Sequence, residues 1–239
     1  MKDEQMIRLN KYLALCGVCS RRDADKLIEQ KAVTVNGTTA SFGMKVTGRE
    51  KICVQGKPIS APEEKVVLAY YKPMGVVCTE RDKHARITLR DSLKYPVRLT
   101  YAGRLDKDSE GLLIMTNDGT LIDAMMRGAN QHEKEYLVKV EKPLTEEALV
   151  QMRAGIYLEE LKMTTRACKI EQTGPYTMKM VLTQGLNRQI RRMCETVGYR
   201  VKSLKRTRVM NIELKDLKPG EYRELEEEEK QILYRDCAL

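Results

Sequence analysis

A carboxylate, a tyrosine and a set of arginines are the side chains whose types and spacing could do chemistry. Asp106 lies in GRLDKDSEGLLIMTNDG, residues 103–119, between Arg104 and Lys107, and both neighbours favour its ionised form. The run LLIMT that follows reads as a buried strand closed by the turn signal Asn117-Asp118-Gly119. A carboxylate on a loop entering a rigid strand is suited to nucleophilic or general-base work. The competing reading is that Asp106 to Glu110 is a solvated charged loop, and Asp108 and Glu110 read as structural or solvated residues. Tyr136 sits in HEKEYLVKV, whose alternation puts Lys134, Tyr136 and Val138 on one side and Glu135, Leu137 and Lys139 on the other. The chain has no Trp and one Phe, so any stacking platform for a base must be built from Tyr, with Lys134 as an auxiliary group nearby. Arg188, Arg191 and Arg192 open LNRQIRRMCETVGY, in which Ile190, Met193, Cys194 and Val197 form an apolar helical stripe and Gly198 the stop. Cations at a helix start oppose its dipole. A compensating anion is therefore expected there, either a phosphate or a carboxylate such as Asp106.

Charge points to the partner these groups would meet. The 239 residues include 43 Lys plus Arg against 34 Asp plus Glu, a net +9. Residues 1–62 hold eleven basic and six acidic side chains, and residues 186–210 hold eight basic and one acidic. Two separated basic patches suit two contacts on one long anion, whereas a solvated surface intersperses its signs. No run of eighteen apolar residues exists and MKDEQMIRLNKYL lacks a secretory pattern, so a soluble, cytoplasmic protein without membrane contact is expected. Seven cysteines, at 16, 19, 53, 78, 168, 194 and 237, include one CxxC with no second pair or histidine at metal spacing. They read as reduced thiols, with no metal. His84, in ERDKHAR, reads as a surface loop residue.

The elements that must position these groups divide into a module at 1–62 and a larger domain at 66–239, joined by the Pro-containing linker PISAPEEK at 58–65. In the module, Leu9, Tyr12, Leu13 and Cys16 have helical spacing and Gly17 stops the helix; Ser20 with Asp23 caps a second helix over 21–30. VTVNG alternates, turns at Asn36-Gly37 and can pair with ICVQGKPI. Arg8, Lys11, Arg21, Arg22 and Lys26 cluster on the two helices, where the helix start at Ser20 adds backbone donors for phosphate; solubilising surface charge is the competing reading. The larger domain should hold a strand VVLAYYKP ended by Pro73, a Gly75 turn into a second strand VVCT, and a short helix over 119–127. A helix over 144–154, a hairpin across Gly174-Pro175 and a strand in RVKSLKRTRVMNIEL follow; EYRELEEEEKQILYRD reads as a terminal helix with an acidic first turn.

Residues 6–53, with LNKYLA, SRR and VTVNG, resemble the S4-type RNA-binding domain, which implies shape-led contact with structured RNA. GRLDKDSEGLL, KEYLV and NRQIRRMCETVGYRVKSLKRTR, in that order, resemble the motifs of bacterial ribosomal RNA pseudouridine synthases, in the branch where an S4-type module precedes the catalytic domain. The likeness covers nearly the whole chain and is greatest to the group acting on large-subunit (23S) ribosomal RNA. It implies an α+β fold: a small helix-helix-strand module, then a mixed, mainly antiparallel sheet with flanking helices. It also implies that Asp106 is the catalytic carboxylate, Tyr136 the tyrosine that stacks on the target uracil, Arg191 the arginine that pairs with the aspartate, and Leu204 the apolar residue under the base. Arg104, Arg188 and Arg192 would join the RNA-binding set. Isomerising uridine involves no net redox change or energy input, so no cofactor is expected, and the protein is expected to act as a monomer. Asp106 could attack C1' as a nucleophile or take the 2' proton to give a glycal, and the sequence leaves both open. The target would have to be flipped out of its helix. A non-catalytic RNA-binding or ribosome-assembly factor, or a synthase acting on small-subunit (16S) ribosomal RNA or transfer RNA, are the alternatives.

Overall fold

Over residues 6–60 the local signals fold as their spacing requires. The fold is that of a computed structural model describing residues 6–60, 64–79, 87–127 and 131–239, so His84 and linker residues 61–63 lie outside the described residues. Helix α1 (Leu9–Leu15) and helix α2 (Arg21–Glu29) bury Leu9, Tyr12, Leu13, Ala24 and Ile28 against Val33, Val46 and Ile52. Ser20 caps α2: its Oγ accepts from the Asp23 amide at 3.2 Å and donates to the Asp23 carboxylate at 2.8 Å, satisfying a donor the helix leaves over. Strand β1 (Val33–Val35) is followed by Asn36 and Gly37, both at positive φ (50° and 81°), as a tight hairpin turn requires, and pairs antiparallel with β2 (Ile52–Val54).

The chain forms two compact units: Met1–Val66 with Tyr95–Leu99 and Asn117–Gly119, and Val67–Lys94 with Thr100–Thr116 and Thr120–Leu239. The second is built on a mixed sheet. Its main strands are β3 (Val67–Lys72), β4 (Glu110–Thr116), β5 (Lys134–Val140), β6 (Lys169–Gly174), β7 (Thr177–Leu182), β8 (Val201–Val209) and β9 (Tyr222–Glu224), in the order β6-β7-β5-β8-β4-β3-β9. Neighbours along this path run antiparallel except β8 and β4, which run parallel through Lys205 opposite Glu110 and Arg206 opposite Gly111. Helices α3 (Gly119–Met126), α4 (Glu146–Ala154), α5 (Gln189–Thr196) and α6 (Glu227–Asp236) flank the sheet. Two apolar cores result. Leu149 and Met152 of α4 and Ile190, Met193 and Cys194 of α5 pack on Val138, Met178, Met180 and Leu204, whereas Leu121 and Ala124 of α3 and Leu233 of α6 pack on Val67, Ala69, Leu112 and Ile114.

The parallel seam between these halves needs a glycine. Gly111 has φ +108°, and a Cβ there would meet the Arg206 carbonyl oxygen at 2.3 Å, so no other residue fits without a backbone shift.

Two sequence expectations are corrected. VVCT is not a strand; Val77 makes only an isolated bridge with Thr88. The backbone groups a strand would have paired are taken elsewhere: the Lys72 ammonium donates to the carbonyls of Pro73 and Val76, each at 2.9 Å, and the Gly75 amide to the Lys107 carbonyl at 2.7 Å. The terminal helix begins only at Glu227, because Tyr222–Glu224 pairs instead with Leu68, Ala69 and Tyr70 of β3. LLIMT, by contrast, is buried along its whole length within β4.

Candidate active site

Asp106 is carried on the loop between the short strand Thr100–Ala102 and β4. The loop is tied from several sides. The Ser109 amide donates to the Asp106 carbonyl at 3.1 Å, the Gly75 amide holds Lys107, and Leu105 is buried, with its amide 3.5 Å from Cys78 Sγ. The Asp106 side chain itself is 36% exposed, and its contact to a cation is with Arg188 Nη1 at 4.0 Å.

Its neighbour Asp108 is far more engaged. Arg188 grips it with two bonds, Nη1 to Oδ1 at 3.1 Å and Nη2 to Oδ2 at 2.9 Å, and Arg191 Nε lies 3.3 Å from Oδ2. Burial pushes the Asp108 carboxyl pKa up, but the Arg188 fork and the charge of Arg191 outweigh it and hold the group below the usual aspartate value. Arg191, 15% exposed, also donates Nη2 to the Asp108 carbonyl at 2.6 Å and approaches Ser109 Oγ at 3.5 Å. The compensating anion expected at the start of α5 is therefore Asp108. Arg191 pairs with Asp108 and not with Asp106, and so bears on Asp106 only through the turn that both aspartates share. Arg188 adopts a left-handed conformation (φ 51°) at the helix N-cap, which brings its fork to the turn. Arg192 is turned away, bonded to the Asn187 carbonyl at 3.1 Å and paired with Glu160.

A cavity of about 340 Å³ opens beside Asp106. Its floor comes from adjacent strands: Tyr136 of β5 stands opposite Arg206 of β8, and Val138 opposite Leu204, so alternation puts Tyr136, Leu204 and Arg206 on one face. The wall includes Arg104, Arg127, Lys134, Arg188 and Arg206, and Asp106 is its sole carboxylate among the described residues. Burial, with the nearby charge of Arg206, lowers the Lys134 ammonium pKa. One carboxylate among five cations, over a tyrosine and a leucine, can hold an anionic chain around a flat ring while presenting an oxygen to it.

Of the residues singled out in the sequence, Asp106, Tyr136, Leu204, Arg104, Arg188 and Lys134 meet in this cavity; Arg191 and Arg192 do not line it. Arg206 and Arg127 were missed. Arg206 had a signal, since it lies two residues beyond Leu204 on a strand and must share its face. In the first unit, Arg8, Arg21, Arg22 and Lys26 are exposed and Lys11 is half-buried on the helix pair.

The fold and site define a class. A family model described as RNA pseudouridylate synthase matches residues 66–196, and a model described as S4 domain matches residues 7–52. The chain belongs to the RNA pseudouridylate synthase family and carries an S4 domain. It is 44% identical over 231 residues to the dual-specificity RNA pseudouridine synthase RluF of Escherichia coli, covering 96% of this chain and 79% of that protein. It is 38% identical to ribosomal large subunit pseudouridine synthase B of Bacillus subtilis, covering 92% of each. A crystal structure of a pseudouridylate synthase superposes with a TM-score of 0.70 at 30% identity, covering 95% of this chain and 99% of the other. No described helix is long and apolar enough to cross a membrane.

Proposed function

We propose that this protein converts a specific uridine of large-subunit ribosomal RNA to pseudouridine, with Asp106 as the catalytic carboxylate. The reaction breaks the bond from C1' to N1, turns the freed uracil and joins C1' to C5; the proton leaves C5 and N1 gains one. Asp106 either bonds to C1' or removes the 2' proton; among the described residues its carboxylate meets only Arg188, at 4.0 Å, beside the fully engaged Asp108, which leaves its oxygens available to substrate. Tyr136 stacks on the flipped uracil, Leu204 packs under it, and Arg104, Arg188 and Lys134 meet the RNA backbone. Arg191 acts from behind, holding the turn. Residues 1–62 are the RNA-docking module, through Arg8, Lys11, Arg21, Arg22 and Lys26, and 66–239 the catalytic domain; the protein works in the cytoplasm as a monomer on a structured stem-loop.

The observation that carries this reading is one carboxylate, the sole one among the described residues, on the wall of a cationic cavity floored by Tyr136 and Leu204. The names of the two relatives support the substrate: one is a ribosomal large subunit pseudouridine synthase and the other a dual-specificity RNA pseudouridine synthase. Asp106→Asn is expected to bind structured RNA as before and to release no tritium from C5-labelled uridine. Tritium release by that variant would refute the assignment. Pseudouridine mapping of cellular ribosomal and transfer RNA with and without the protein identifies the target.

A further inference from the structure

β8 delivers two side chains to the cavity floor, Leu204 and Arg206, and the reading above gives a part only to the first. Arg206 is 2% exposed. Its Nε donates to the Leu112 carbonyl at 2.7 Å and its Nη1 to the Arg104 carbonyl at 3.3 Å. Nη2 is buried with no hydrogen-bond partner, and no carboxylate pairs with the group among the described residues. A buried cation without a counter-ion lowers stability, and an apolar side chain of similar length would occupy the same space at less cost. Packing therefore does not account for an arginine here. What its two engaged donors hold does: Arg104 and Leu112 bracket the loop that carries Asp106. The backbone of Arg206 in turn rests on Gly111, inside the same bracket, where there is no room for a Cβ. Opposite Arg206 across the β5–β8 pair stands Tyr136.

We propose that Arg206 is a positioning residue for the isomerisation: it fastens both ends of the Asp106 loop to the strand pair that carries Tyr136, and so sets the distance between carboxylate and stacked base. The inference rests on the reading of Asp106 as the catalytic group. Arg206 makes no bond to the Asp106 carboxylate; its two engaged donors act through the Leu112 and Arg104 carbonyl groups.

The test compares full-length Arg206→Met, Arg206→Lys, Arg206→Ala and Asp106→Asn on one RNA, reading kcat, KM, RNA affinity and melting temperature. A misplaced reacting group loses on the order of 100-fold in rate. Arg206→Met should lose that in kcat, with KM and RNA affinity within about twofold and the melting temperature not lowered. Arg206→Lys, which keeps a donor, should recover part of the loss, and added guanidinium ion should raise the turnover of Arg206→Ala but not of Asp106→Asn. Should Arg206→Met fail to fold, the lysine variant and the rescue decide the matter. Turnover of a folded Arg206→Met within about threefold of the parent overturns the proposal. So does activity falling together with melting temperature, with no recovery by lysine or guanidinium. An active Asp106→Asn strikes the underlying reading, whereas an inactive Asp106→Asn beside a fully active Arg206→Met strikes this inference alone.

Discussion

Arg8, Arg21 and Arg22 of the first unit and Arg188, Arg191 and Arg192 of the second are both arginine clusters near helix starts, yet the fold uses them in opposite ways. Among the described residues, the side chains of Arg8, Lys11, Arg21 and Arg22 make no hydrogen bond or ion pair, and Lys26 only a loose one to Asp23 at 3.8 Å. Around α5 every guanidinium is committed, to Asp108, to Glu160 or to backbone carbonyls. An uncommitted cation is available to a polyanion and contributes a salt-dependent part of its affinity. A committed cation shapes the site, and of the three around α5 only Arg188 also lines the cavity. Net charge alone registers the two clusters as equivalent.

The sharpest way to break this comparison is to release the committed set. Arg191→Ala should remove the bonds to the Asp108 carbonyl and carboxylate, lowering kcat by about 100-fold while RNA affinity falls far less. A loss of affinity equal to the loss of rate would place Arg191 with the RNA-facing cations instead.

A committed pair remote from the cavity should show as stability. Arg223 forks onto Glu229 at 2.6 and 2.8 Å, which, against burial, holds the Glu229 carboxyl down from 4.5 to about 2. A carboxyl depressed on folding stabilises the native state above its unfolded pKa, and that contribution fades as pH falls through the folded value. Glu229→Gln should therefore cost on the order of 3 kcal/mol at neutral pH. The gap to the parent, followed by denaturant unfolding, should narrow between pH 4.5 and about 2. A gap independent of pH would assign the effect to packing.

The smallest effect belongs to the uncommitted set. Arg21→Gln with Arg22→Gln should change stability by no more than about 0.5 kcal/mol and leave kcat at saturating RNA unaltered. The slope of log affinity against log salt should become shallower by roughly 1.5 to 2. An unchanged slope would mean that these cations do not meet phosphate.

What the sequence disclosed follows the reach of each interaction. Ser20 capping α2, the Asn36-Gly37 turn and the alternation of KEYLVKV depend on residues within a few positions of one another, and each formed where its pattern indicated. Asp106, Tyr136 and Leu204 were legible through motif resemblance, and the fold gathers them in one cavity. The grip of Arg188 on Asp108 spans 80 residues and that of Arg206 on Leu112 spans 94, and no local pattern encodes which aspartate an arginine will reach. Tertiary pairing likewise overrode local preference at Tyr222–Glu224, where an edge position beside β3 was worth more than an extra helical turn.

The parallel seam at Gly111 and Arg206 also bears on how the protein comes to be active. Each half of the sheet has its own apolar core, but the cavity is bounded by both, and their join links segments almost a hundred residues apart. Closing so long a loop is entropically unfavourable until local structure on both sides is in place. During synthesis, Asp106 and Tyr136 emerge well before the strand that brings them together. The cavity is thus complete only with the last third of the chain, and a nascent protein still lacking β8 carries Asp106 and Tyr136 without the floor that gathers them.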